Sequence, residues 1–152
     1  FHGKPGVYKI TKLGTKISND NLRPLNKVNL VNYKHDLILN SLSISLEKRY
    51  SQANYIPERR IRNENYSFGN GFEGHTCDGI LEFPDKKIAI ELELTAKSKK
   101  RLADIRKQYL RSFDLDEVWY FYKDESIKNL LEETYSNIDF VKLIPITPKI
   151  FI

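Results

Sequence analysis

Two periods of apolar and polar residues organise this chain. Over 33–50, Leu39, Leu42, Leu46 and Arg49 recur at helical spacing, with Ile38 widening the stripe. Asp36, Asn40, Ser43 and Glu47 form a second, polar stripe. That spacing predicts a helix packed along one side, with Glu47 near its polar edge. The same period predicts a helix over 99–113, from Leu102, Ile105, Tyr109 and Phe113, and another over 125–135, from Ile127, Leu130, Leu131 and Thr134.

Elsewhere the period is two. Over 88–97, Ile88, Ile90, Leu92, Leu94 and Ala96 alternate with Ala89, Glu91, Glu93, Thr95 and Lys97. Read as a strand, this segment puts two carboxylates and an ammonium on the face opposite an apolar one. A strand over 78–83 precedes it, and the turn Pro84-Asp85-Lys86-Lys87 makes the two antiparallel, which brings Asp78 beside Glu91. The unbroken run Val118 to Tyr122 predicts a strand over 116–122 buried on both faces, and another strand is expected over 140–146. Between 55 and 66 a strand is expected to start after Pro57 and to expose Arg59, Arg60 and Arg62. Residues 67–76, with three glycines and two aromatics, read as a loop or hairpin tip. The order of elements predicts an α/β sandwich around a mixed sheet, with antiparallel hairpins first and βαβ crossovers after.

The beginning of the chain differs in character. Val7 to Lys12 alternates as a short strand between glycines, and 15–32 is polar, rich in Asn and Lys, with Pro24. We therefore expect three parts: the tail of an upstream module (1–14), a linker (15–32) and an α/β domain (33–152). Because the chain starts at Phe1 and has no methionine, it is expected to be a piece of something longer.

Composition narrows the classes. A length of 152 residues, 40% hydrophobic and 30% charged, suits one soluble domain without a membrane-spanning run or signal peptide. The net charge of +5 suits a polyanionic partner, although many domains carry such a charge for solubility alone. Cys77 is the only cysteine, so no intramolecular disulfide can form, in keeping with a reducing cytoplasm. Cys77 and His75, with only His2 and His35 besides, are too few for a structural zinc site.

The clustered acids carry the candidate chemistry. Hard divalent cations take oxygen ligands, and Mg²⁺ or Mn²⁺ supplies both charge neutralisation and an activated water for phosphodiester hydrolysis. Asp78 and Glu91 are the first candidate ligands, Glu93 a third ligand or base, and Glu47 an extra carboxylate from the first helix. Lys97 can reach a phosphate or orient the attacking water if the strand stays regular that far. The competing reading is a solvated sheet face, and for Glu47 a simply exposed acid. Lys97-Ser98-Lys99-Lys100-Arg101 opens the second helix, where an anion such as DNA phosphate would be held by Lys99, Lys100, Arg101 and the helix terminus. Arg59, Arg60 and Arg62 make a second basic cluster of the kind that tracks a nucleic-acid backbone. No phosphate-binding glycine loop and no Gly-x-Ser-x-Gly elbow is present.

Asp78-Gly79-Ile80 followed by Ile90-Glu91-Leu92-Glu93 resembles the PD-(D/E)XK nuclease superfamily. Its core is a helix, three strands, a helix and a further strand, with the metal-binding Asp opening the second strand and Glu-x-Lys on the third. Here Cys77 stands where proline is usual, and Glu93 occupies the lysine slot. The resemblance spans roughly 33–122. It implies a restriction-endonuclease-like fold, a Mg²⁺ or Mn²⁺ cofactor and a DNA substrate, with Asp78, Glu91, Glu93 and Lys97 as the catalytic set. More narrowly, Gly6 to Gly14 is similar to the end of a winged helix. Glu91-Leu92-Glu93-Leu94-Thr95-Ala96-Lys97-Ser98 is similar to a segment of the replication-relaxation proteins of plasmids and integrative elements. That likeness implies a role in mobile-element replication or mobilisation, alongside other proteins of those processes. The departure at Glu93 keeps open a DNA-binding accessory that does not cut, and a protein-interaction domain is the third alternative.

Overall fold

The computed structural model describes residues 10–17, 22, 24, 27, 29–67, 74–112 and 114–147. The chain divides into two compact units, Phe1–Lys34 and His35–Ile152. In the first unit, α1 (Lys12–Ile17) is a short helix. Of the expected strand over 7–12, 7–9 lie outside the described residues, Ile10 and Thr11 are irregular, and Lys12 is helical, as is the start of the expected linker. Thr11 is the local cause: its Oγ1 accepts the Gly14 amide at 3.1 Å, as an N-cap does.

The second unit follows the order α2 (Tyr33–Arg49), β1 (Asn54–Pro57), α3 (Glu58–Ser67), β2 (Gly79–Glu82), β3 (Lys87–Glu93), α4 (Lys99–Tyr109), β4 (Glu117–Tyr122), α5 (Glu125–Tyr135), β5 (Val141–Pro145), with the first two residues of α2 in the unit before. The strands form one mixed sheet in the order β1-β2-β3-β4-β5. β2 is antiparallel to both β1 and β3, whereas β3, β4 and β5 run parallel. The two crossovers, β3-α4-β4 and β4-α5-β5, step in the same direction and keep the same hand, so both helices land on one face. There Leu102, Ile105 and Tyr109 of α4 and Ile127, Leu131 and Tyr135 of α5 pack on Ala89, Val118, Tyr120 and Tyr122. Leu42 and Leu46 of α2 cover the other face, over Ile88, Ile90, Leu92, Trp119 and Phe121. β3 and β4 are thus covered on both sides, which is why the run from Val118 to Tyr122 needs no polar alternation.

The α/β sandwich, the mixed sheet and the hairpin-then-crossover order are as the residue pattern predicts. One element is not. No strand starts directly after Pro57: β1 runs up to it and ends there, and Glu58–Ser67 is helical. The Glu58 amide donates to Asp78 O at 3.0 Å, closing the pairing with β2. Within the helix, Arg62 meets Glu58 at 2.7 Å and Arg60 meets Glu64 at 4.0 Å. These i,i+4 pairs favour helix, and Ile61 gives it one apolar anchor against the core. Of the loop expected over 67–76, Ser67 closes α3, 74–76 are irregular, and the rest lies outside the described residues. Two further elements end early. β3 stops at Glu93, four residues short of Lys97, and α4 stops at Tyr109, with Leu110 as its C-cap.

The end of the sheet away from the acids is tied by Glu117. Its carboxylate takes Lys142 Nζ at 2.6 Å, Trp119 Nε1 at 2.6 Å and Lys86 Nζ at 3.3 Å. Partial burial works to raise this carboxyl, but the hydrogen bonds from Lys142, Trp119 and Lys86 outweigh it and hold the carboxyl down at about 2. A depressed carboxyl stabilises the fold above its unfolded value of 4.5, and that contribution is lost as pH falls toward about 2. With solvent screening of a partly exposed group, Glu117→Gln is expected to lower unfolding free energy at pH 7 by about 1–2 kcal/mol. Urea unfolding across pH 2–7 checks this: the gap between wild type and variant must close as the pH falls below 4.5.

Candidate active site

The acids gather where β2 begins and β3 ends. Gly79 pairs with Ile90, and one residue earlier the Asp78 amide donates to Ile90 O at 3.0 Å. The Asp78 backbone therefore lies abreast of Glu91. Gly79 itself leaves no room for a side chain, because a Cβ there would overlap the Tyr55 ring. That ring packs close enough for its hydroxyl to donate to Asp78 O at 3.3 Å. β1 thus buttresses the start of β2.

Glu91 and Glu93 share the face of β3 that carries Ala89, as the alternation predicts, but that face is not solvated. Glu91 is 1% exposed and Glu93 3%. α4 and α5 cover the sheet here, so the reading of an open polar face is overturned. Each acid is instead met by a side chain from elsewhere. Glu91 Oε1 accepts from the Tyr109 hydroxyl of α4 and bonds His75 Nε2 at 2.5 Å. Glu93 Oε1 takes the Lys97 ammonium. The strand does not stay regular as far as Lys97: the chain bends after Glu93, and the long side chain folds back onto its own strand's last residue. Asp78 Oδ2 accepts the Leu92 amide at 2.7 Å and lies 3.4 Å from His35 Nε2. The same His35 nitrogen donates to Leu92 O at 3.2 Å.

The charges feel one another. Burial raises the Glu93 carboxyl above its usual range, against the downward pull of Lys97, and the charges of Glu91 and Asp78 push it further up. The hydrogen bond to Asp78 raises His35, against the opposing effect of burial. Cys77, buried beside the acids, is pushed up first by burial and then by Glu91 and Asp78. A raised thiol disfavours the thiolate, which is the nucleophilic form.

Every one of these hydrogen bonds falls on a single oxygen of each acid. Among the described residues, Asp78 Oδ1, Glu91 Oε2 and Glu93 Oε2 have no partner. Thr76 Oγ1, two residues before Asp78, is buried without a hydrogen-bond partner among the described residues. No set of three or more His, Cys, Asp or Glu side chains stands at metal-ligand spacing among the described residues. A small hard cation asks for less than that, one or two carboxylates completed by water and phosphate. Asp78 and Glu91 each keep one carboxylate oxygen that no hydrogen bond among the described residues engages.

The remaining candidates stand on the helices. Glu47 is exposed and its Oε1 accepts the Tyr55 amide at 3.3 Å. Lys99 is paired with Glu133 at 2.6 Å, while Lys100 and Arg101 are exposed in the first turn of α4 behind the N-cap Ser98. Arg59, Arg60 and Arg62 are exposed on α3.

Sequence reasoning missed the two histidines and Tyr109 as site residues. His35 was legible, since it heads the stripe Leu39, Leu42, Leu46 at spacings of four, three and four. Tyr109 was seen only as a core residue, and a hydroxyl on a core face is a signal of a buried polar partner. His75 sits in irregular chain and carries no periodic signal. No family model, curated protein or solved structure matches the chain. No helix among the described residues is long and apolar enough to cross a membrane.

Proposed function

We propose that the second unit is a metal-dependent, DNA-directed endonuclease-like domain with a restriction-endonuclease-like core. The observation that carries this reading is the delivery of the Lys97 ammonium to Glu93 Oε1. In the resemblance, Glu93 occupies the slot of the usual lysine. The bend after β3 restores a cation at that slot from four residues further along the chain. Support also comes from the order α2, β1, β2, β3, α4, β4, with Asp78 immediately before the second strand and Glu91 on the third. Helix α3 is an insertion between the first two strands.

In this reading Asp78 and Glu91 would hold Mg²⁺ or Mn²⁺, with Glu93 as third ligand or base. The cation, when bound, supplies charge neutralisation at the phosphate and a water of lowered pKa. The chain's own residues do the rest. Tyr109 and His75 fix the Glu91 carboxylate, the Leu92 amide and His35 fix Asp78, and Lys97 offsets the charge of Glu93. Burial of both glutamates strengthens these interactions. Lys100 and Arg101, exposed on the helix that follows, are suited to the DNA backbone, with Lys99 and the α3 arginines as further contacts. The wider setting we propose is a mobile-element replication or mobilisation protein of replication-relaxation type, working in the cytoplasm with other proteins of that machinery.

A second reading has its own support. The buried acids already have protein partners, as they would in a DNA-binding accessory that retains the fold without cutting. Nicking of supercoiled plasmid with Mg²⁺ or Mn²⁺ against EDTA separates the two: metal-dependent nicking selects the enzyme, and binding without nicking selects the accessory. Both readings expect the double variant Lys100→Ala/Arg101→Ala to weaken duplex binding several-fold at low salt. They also expect the slope of log K against log salt to flatten by about 0.9 for each phosphate that the variant no longer neutralises. Unchanged affinity and slope in fluorescence-anisotropy titrations would remove α4 from the DNA surface.

A further inference from the structure

We propose that His75 is a positioning residue for the cation site, acting through Glu91; the inference rests on the metal-dependent reading above. Glu91 Oε1 bonds two donors, the Tyr109 hydroxyl and His75 Nε2. Two donors on one oxygen fix the carboxylate's rotation about its last bond, and Oε2 is what remains for a ligand. Tyr109 comes from a packed helix and is held by the core. His75 comes from irregular chain, yet it is anchored with comparable care. Its backbone amide donates to Gln108 Oε1 at 2.7 Å, and its ring stands edge-on to Tyr109 with centroids 6.0 Å apart. The preceding Gly74 has φ 146°, and a Cβ at that position would come within 2.9 Å of the same Gln108 oxygen. The loop is therefore shaped to let α4 grip the histidine, and the histidine in turn grips the acid.

Hydrogen-bond partners behind a metal-ligating carboxylate orient it, and their loss lowers metal affinity by about 10–100-fold. Calorimetric titration of MnCl₂ into the full chain reads this directly, without any assay of cleavage. His75→Ala is expected to weaken Mn²⁺ binding by about 10–100-fold. His75→Gln, whose side-chain amide can still donate to Oε1, is expected to restore binding to within a few-fold of wild type. Melting in EDTA provides the control, since a merely structural role would lower the melting temperature of both variants and leave their Mn²⁺ affinities alike. Gln108→Ala, which removes the anchor and keeps both His75 and Glu91, is expected to give an intermediate loss, and it carries the test if His75→Ala does not fold. Wild-type affinity in both His75→Ala and Gln108→Ala overturns the role of His75 and leaves the metal-dependent reading standing. A wild-type chain that takes up no Mn²⁺ overturns that reading first, and this inference with it.

Discussion

Asp78→Asn is expected to cut metal-dependent plasmid nicking by about 100-fold or more while the fold survives. The change removes one negative charge and little else. An asparagine carbonyl oxygen can accept the Leu92 amide as Asp78 Oδ2 does at 2.7 Å, so the start of β2 stays tied to the end of β3. What disappears is the anionic oxygen that would face a cation. A loss of roughly 3 kcal/mol in transition-state stabilisation corresponds to about two powers of ten in rate. Glu91→Gln run alongside should show the same pattern, because its side-chain oxygen can still meet Tyr109 and His75. The measurement is the nicking rate of each variant with saturating Mg²⁺, beside its melting curve. Nicking at the wild-type rate in Asp78→Asn would dismiss the acid pair as the reaction centre.

Tyr120→Ala should produce the largest loss of stability among the residues around the site, about 3–5 kcal/mol. The side chain is completely buried on β4, under both α4 and α5. Its ring lies 5.0 Å from that of Tyr135, and the two hydroxyls are 2.5 Å apart. Truncation leaves a cavity of aromatic size and a buried Tyr135 hydroxyl without its partner, and both effects destabilise. Tyr120→Phe removes only the hydroxyl pair and is expected to lose about 1 kcal/mol. Urea unfolding followed by the single tryptophan, Trp119 on the same strand, measures both. Equal losses for the two variants would mean that the hydroxyl pair, and not the packed ring, holds these layers together.

These outcomes also mark how far the residue pattern reaches. Strands β3 and β4 and helices α2, α4 and α5 were legible because each buries a full apolar stripe, and a stripe of four or more residues fixes both period and face. α3 was not. Its segment holds one apolar anchor, Ile61, among charges, so periodicity had nothing to count, and the i,i+4 ion pairs that favour helix carry little weight against a proline read as a strand start. The end of β3 was missed for a related reason: Leu94 and Ala96 continue the alternation after the ladder itself has stopped at Glu93.

The candidate site divides along the same line. The sequence by itself determined that Glu91 and Glu93 share a face of one strand and that Asp78 lies abreast of Glu91. Period-two alternation and a short turn are local properties of the chain. Only the tertiary structure decided that this face is buried, because burial depends on where two crossover helices land, not on the strand's own residues. Only the tertiary structure brought His35, His75 and Tyr109 to the acids, across separations of 43, 16 and 18 residues. Partners that far apart leave no pattern in a single sequence: a desolvated carboxylate needs a donor, but packing alone chooses which residue supplies it.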